Sequence, residues 1–190
     1  MAKQFIYPFT FGDKSQSDLL GGKGANIAEM VQMGLPVPPG FTITTEACRE
    51  FLSSGTVPTQ LTEHIHKSLS NLEKAVGKNF GDPLNPLLVS VRSGAKHSMP
   101  GMMETVLNVG ITPEVAEALA QSSGNQRFAW DSYRRFIDMF GRIVCDLPDE
   151  IVHKIENSFL LKANAKVVAD LPVESLKELA QQLILAIQEH

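Results

Sequence analysis

"LLGGKGANIAEMVQMGLPVPPGF" (Leu19–Phe41) sets a lysine inside a run of glycines just where a helical pattern begins. Ile27, Met30 and Val31 recur at helical spacing, which predicts a helix over Lys23 to Met33 with Gly34 as its stop. The proline-rich run Leu35 to Gly40 then breaks the chain before a short strand, Phe41 to Thr44. Glycines around Lys23 would let backbone N–H groups approach an anion, and a flexible ammonium suits phosphate oxygens as a point charge. The same residues equally suit a plain turn ahead of a helix. Familiar phosphate templates do not decide between the two. A P-loop would need glycine where Ser17 stands and Ser or Thr where Gly24 stands; a dinucleotide fingerprint starting at Gly22 would need glycine in place of Ile27.

Working outward, Gln4 to Phe11 is aromatic and loosely alternating, the pattern of a strand. Beyond the second strand, Thr45 is placed to cap a helix ending near Ser53-Ser54-Gly55. Leu61, Ile65, Leu69, Leu72 and Val76 predict an amphipathic helix over Thr59 to Val76. Gly81 to Pro86 is turn material, and Leu87 to Arg92 is a short apolar run of the kind that forms a buried strand. A loop, Ser93 to Met103, leads to another strand, Glu104 to Val109.

After Gly110 the texture changes to helix alone. Thr112-Pro113-Glu114 is a start signal for a short helix, Val115 to Gln121. Tyr133, Phe136, Ile137 and Phe140 stripe a second helix, ended by Gly141; Leu176, Leu179, Ala180, Leu183, Ile184 and Ile187 stripe a third that starts around Pro172. The expected class is therefore α+β. A mixed α/β portion over residues 1–111 is followed by a helical portion over 112–190.

At 190 residues the chain can bury a real core, as one domain or two small ones. A hydrophobic fraction of 43%, a charged fraction of 20% and a net charge of -4 describe an ordinary globular protein with no electrostatic reason to bind nucleic acid. No stretch approaches the ~18 consecutive apolar residues of a membrane span, and the first residues lack the apolar run of a signal peptide. Cys48 and Cys145 are far apart and form no metal spacing; they read as reduced, packed thiols of a cytoplasmic protein.

Several residues are candidates for chemistry. Arg92 closes the expected buried strand, where an unpaired charge is expensive, so it asks for an anion: a bound phosphate or a core carboxylate. Met99, Met102 and Met103 suit either a core gap or contact with a flat ligand. His97 has no acidic residue at a suggestive spacing and reads as a polar loop residue. His64 and His66, two apart on a helix, do not face each other and make no metal pair; His153 and His190 stand alone. Arg134-Arg135 beside the Tyr/Phe stripe reads as a solvated or interdomain face, with anion contact as the alternative.

Taken together, "LLGGKGANIAEMVQMGLPVPPGFTITTEAC" and "PLLVSVRSGAKHSMPGMMETVLNVG" closely resemble the amino-terminal, nucleotide-binding portion of the pyruvate, phosphate dikinases, and "GNQRFAWDSYRRFIDMF" is similar to that family's helical segment. Ser98-Met99-Pro100-Gly101-Met102-Met103 followed by Glu104-Thr105-Val106-Leu107-Asn108 carries the form that separates this family from phosphoenolpyruvate synthase and its relatives. Lys96 stands where some relatives have arginine and Glu104 where aspartate is frequent; both keep the charge.

The resemblance implies the first part of an ATP-grasp-type nucleotide-binding domain, a mixed sheet with helices followed by an all-helical subdomain. It places the family's ATP-contacting lysine on Lys23 and its phosphate-contacting, catalytic arginine on Arg92. Gly94, Ser98, Gly101, Met102 and Met103 then fall in a loop over the phosphates. The implied ligands are ATP and Mg²⁺, with the metal's acidic ligands expected outside this chain. The full reaction converts ATP, phosphate and pyruvate into AMP, diphosphate and phosphoenolpyruvate through a phosphohistidine on another domain. Its further partners would be a second ATP-grasp lobe, that phosphohistidine domain and a pyruvate-binding barrel. By itself the chain is expected to be an inactive monomer. The other reading is a free-standing, non-catalytic module that binds a nucleotide or a protein for regulation.

Overall fold

A computed structural model describes residues 3–94 and 105–190. The chain is mixed α/β, mostly helical, with its strands in two-stranded sheets. Its described residues form two compact units, one drawn from 3–78 with 93–94 and the other from 79–92 with 105–190.

In the first unit, β1 (Ile6–Pro8) pairs antiparallel with β2 (Phe41–Ile43), Ile6 opposite Ile43 and Pro8 opposite Phe41. β1 is shorter than the sequence suggests because a turn follows at once, the Phe11 N–H donating to the Pro8 carbonyl at 2.9 Å. Three helices complete the unit: α1 (Ser17–Gln32), α2 (Thr45–Ser54) and α3 (Thr59–Val76). α3 has the expected bounds. Its stripe turns Leu61 and Leu72 inward, and Gly77, at φ 69°, closes it with an N–H to the Glu73 carbonyl.

The cap of α2 is Thr44 rather than Thr45. The Thr44 hydroxyl accepts from the Ala47 N–H, while the Thr45 hydroxyl donates to the Asp18 carbonyl at 2.5 Å. Phe5, Ile6, Ala47 and Leu61 form one core cluster, with Phe41 and Ile65 packed against it; Leu20, Ala25 and Ala28 form another, against Tyr7 and Leu19. Because Ala47 marks the inward face of α2, Cys48 is turned away and exposed, not packed; Cys145 is half-buried.

The second unit carries the remaining strands. β3 (Asn79–Phe80) pairs parallel with β4 (Pro86–Leu87), and β5 (Val89–Arg92) pairs antiparallel with β6 (Thr105–Val109). These strands group with the helices of the second unit, so the contacts do not divide the chain at residue 111. The 87–92 run is not one buried strand. Leu87 is buried, but Ser90, Val91 and Arg92 are exposed, because a two-stranded sheet leaves part of its surface without cover.

Four helices follow: α4 (Pro113–Ser123), α5 (Gln126–Val144), α6 (Asp149–Ala163) and α7 (Val173–Glu189). Thr112 caps α4 and Pro113 opens it, as the sequence predicts. α5 does not stop at Gly141. That glycine is buried against Ile187, whose Cδ1 lies 3.0 Å from where a Cβ would stand, so it serves close helix packing. α6 carries too sparse a stripe to be read from sequence, with only Val152 and Phe159 buried and Leu161 83% exposed. Leu176, Leu179, Ala180 and Leu183 of α7 repeat at helical spacing and are fully buried with Val115, Val152 and Leu171. Burial of each leucine side chain is worth about 1.5–3 kcal/mol.

Arg134 of α5 is buried among carboxylates instead of facing solvent. Its guanidinium lies 3.0 Å from Asp131, 3.6 Å from Asp138 and 3.9 Å from Glu156 of α6. Arg135 is exposed and pairs with the other Asp131 oxygen at 2.8 Å, while Arg142 pairs with Asp138 at 2.6 Å. Removing one member of such a buried network strands the others. Arg134→Ala is expected to lose about 3 kcal/mol of stability, whereas Arg135→Ala should lose little, because exposed pairs contribute little. Urea unfolding of both variants checks this; equal midpoints would show that the network does not anchor α6.

Candidate functional site

The glycine run around Lys23 resolves into different jobs. Gly21 adopts φ 71°, ψ 162°, a conformation essentially confined to glycine, and it kinks α1 between its first turn and its straight part. Gly24 lies against β2. A Cβ built on it would come within 2.8 Å of Thr42 Cγ2, so the helix can lie this close only because the side chain is missing.

The buried face of α1 is Leu20, Gly21, Gly24, Ala25 and Ala28, a face of mostly small residues. The Ile27, Met30, Val31 stripe is not the buried one, since Met30 is exposed and Ile27 and Val31 are half-buried. α1 also starts earlier than predicted, at Ser17, because the kink lets a first turn precede the glycines. At the other end Gly34, at φ 74°, terminates the helix as expected.

Lys23 stands in the first turn after the kink and is half-buried. A cation near a helix start sits against the positive end of the dipole, unfavourable by about 0.3–1 kcal/mol, so the ammonium needs an acceptor elsewhere. It finds one 70 residues away, where Nζ donates to the Ser93 carbonyl at 2.5 Å. No described carboxylate forms an ion pair with Lys23. Ser93 has no place among the sequence-predicted site residues, because a backbone carbonyl acceptor leaves no mark on side-chain chemistry.

Arg92 ends β5 and belongs to the second unit. It is exposed, so the expectation of a buried charge in need of an anion does not apply; among the described residues its guanidinium has no carboxylate partner. Gly94 is exposed. Ser98, Gly101, Met102 and Met103, with Lys96, His97, Met99 and Glu104, lie outside the described residues.

Lys23, Arg92, Ser93 and Gly94 supply no carboxylate, the ligand Mg²⁺ favours, and no cluster of three His, Cys, Asp or Glu among the described residues could hold a metal ion. These residues do not fit Mg²⁺. His64 is half-buried beside the Phe5 ring with its Nδ1 unpartnered, and His66 is exposed. No helix among the described residues is long and apolar enough to cross a membrane.

Residues 17–63 and 52–172 match the family described as pyruvate phosphate dikinase, AMP/ATP-binding domain. The chain belongs to this family. It is 46% identical over 187 residues to a pyruvate, phosphate dikinase of Entamoeba histolytica, covering 98% of this chain and 21% of that protein. It is 46% identical over 190 residues to the enzyme of that name from Clostridium symbiosum, covering all of this chain and 22% of the relative. It is 51% identical over 172 residues to the chloroplastic pyruvate, phosphate dikinase 1 of Oryza sativa subsp. japonica, covering 90% of this chain and 18% of the relative. The chain thus spans about a fifth of the length of these relatives.

In this dikinase domain the close approach of α1 to β2 fixes where Lys23 stands. Gly24→Ala is expected to destabilise the first unit by about 1–3 kcal/mol, the usual range for overpacking. In a Thr42→Ala background, which removes the opposing Cγ2, most of that loss should vanish. Thermal unfolding of the four chains of this cycle reads the coupling, and additive losses would mean that Thr42 is not what limits the approach.

Proposed function

We propose that this chain is the amino-terminal nucleotide-binding part of a pyruvate, phosphate dikinase, built on an ATP-grasp-type fold, and that Lys23 and Arg92 bind the phosphates of ATP. The observation that carries the reading is the match to an AMP/ATP-binding domain, which runs through both cations. The local chemistry supports it. Among the described residues the Lys23 ammonium meets a neutral carbonyl and the Arg92 guanidinium meets no carboxylate, so neither charge is neutralised by a described partner.

In this reading the chain's own contribution is electrostatic. Lys23 and Arg92 orient the triphosphate and spread the negative charge that moves when a phosphoryl group leaves ATP. Gly94, with Ser98, Gly101, Met102 and Met103, supplies backbone N–H groups to the phosphates. Arg92 is the catalytic residue because its guanidinium would touch the transferring group. Mg²⁺ accompanies the nucleotide, with its carboxylate ligands outside these residues. A phosphohistidine domain and a pyruvate-binding barrel elsewhere in the enzyme take the reaction on to phosphoenolpyruvate. By itself the chain binds as a monomer and turns nothing over.

Isothermal titration of the chain with Mg²⁺-ATP tests the assignment. Lys23→Ala and Arg92→Ala should each weaken binding by about ten- to a hundredfold, the loss of one charge-assisted hydrogen bond. Affinity unchanged in both variants would remove these residues from the phosphate site.

A further inference from the structure

Among the described residues the long Lys23 side chain reaches one acceptor, the carbonyl of Ser93. An ammonium has three N–H donors, and this bond engages one of them, leaving two for another acceptor. A free lysine side chain samples many rotamers, and immobilising it opposes binding. A bond formed in advance removes part of that loss before the ligand arrives. A carbonyl suits this task better than a carboxylate would. It orients the ammonium through a dipole while leaving the whole positive charge in place, whereas a carboxylate would cancel the charge that attracts an anion.

Two neighbouring features restrict where the bond can form. The Gly21 kink sets the direction of the straight part of α1, and the Gly24 contact with Thr42 holds that part against β2. Lys23 lies between the two, so its Cα has little room to shift. Ser93 lies in the same compact unit as Lys23.

We propose that Ser93 is a positioning residue: its main-chain carbonyl holds the Lys23 ammonium so that the two remaining N–H groups are presented to the phosphate oxygens of ATP. The inference rests on the phosphate-binding reading of Lys23. It extends that reading by assigning the orientation of the lysine to a main-chain atom, where no side-chain substitution removes the acceptor.

The test is an atom-level change in the intact 190-residue chain. Replacing Gly94 with glycolic acid by nonsense suppression turns the 93–94 peptide into an ester, which weakens the Ser93 carbonyl as an acceptor. Because this also removes the Gly94 N–H, the change is made in the parent and in a Lys23→Met background. Affinity for Mg²⁺-ATP is read by NMR titration reaching millimolar ligand, and thermal midpoints confirm that every chain is folded.

The ester should weaken binding in both backgrounds through the lost Gly94 N–H, and by about tenfold more where Lys23 is present than where it is methionine. Equal losses in both backgrounds, or no loss in the parent, would overturn the positioning role while leaving Lys23 as a phosphate ligand. A parent that does not bind, or a Lys23→Met chain that binds as well as the parent, would instead remove the phosphate reading itself and the inference with it.

Discussion

Strands of two to five residues in two-stranded sheets are marginal in water by themselves, so they depend on what packs against them, and for β1–β2 and β5–β6 that is a helix. This constraint shapes both units. β1 and β2 depend on α1 and α3, and β6 lies under α5. It also explains the glycine at 24. A short strand offers few side chains to a covering helix, and contact improves when the helix comes close. Closeness requires a residue without a Cβ at the point of nearest approach, here opposite Thr42. The lysine next to that glycine is then fixed by the packing of a sheet, not by the ligand it would serve.

Helices with a dense apolar stripe are legible in the amino-acid sequence. α3 and α7 follow from leucines at spacings of three and four, because burial of that stripe is what makes the helix stable. α6 is not legible, since it buries only Val152 and Phe159 and is held to α5 in part through charge, by the Glu156 contact with Arg134. Gly141 reads as a stop because glycine weakens a helix, yet tertiary packing against Ile187 outweighs that loss. The run from Leu87 to Arg92 has the pattern of a strand covered on both sides. A continuous apolar stretch carries that pattern, but the pattern cannot tell how many strands the sheet will have, and here there are two.

In the candidate site the sequence marks side chains, Lys23 and Arg92, but not the backbone that carries them. "GGKG" identifies Lys23 as a lysine with unusual surroundings, but it does not tell which glycine bends the chain and which makes room. Gly21 does the first and Gly24 the second. Neither role needs a ligand. Arg92 stands out in the sequence as a charge closing a buried strand, but the residue is exposed, so that argument for an anion partner does not hold. Ser93 leaves no trace in composition or spacing, since any residue there would offer the same carbonyl.

Lys23 and Arg134 show why a cation's partners matter more than its presence. Arg134 lies within 4 Å of three carboxylates, so its surroundings carry net negative charge even after Arg135 and Arg142 are counted against Asp131 and Asp138. With Arg134 itself counted, the three arginines and three carboxylates cancel, so an incoming phosphate meets no net positive charge there, and the anion-binding alternative for Arg134-Arg135 loses support. Lys23 is bonded to a neutral carbonyl and, among the described residues, meets no carboxylate that would offset its charge. At 4 Å and an effective dielectric of about 20, one uncompensated unit charge attracts another by about 4 kcal/mol, before solvent and salt reduce it. The same local rule separates the two: a carboxylate partner makes a cation structural, whereas a carbonyl partner leaves it able to act on a ligand.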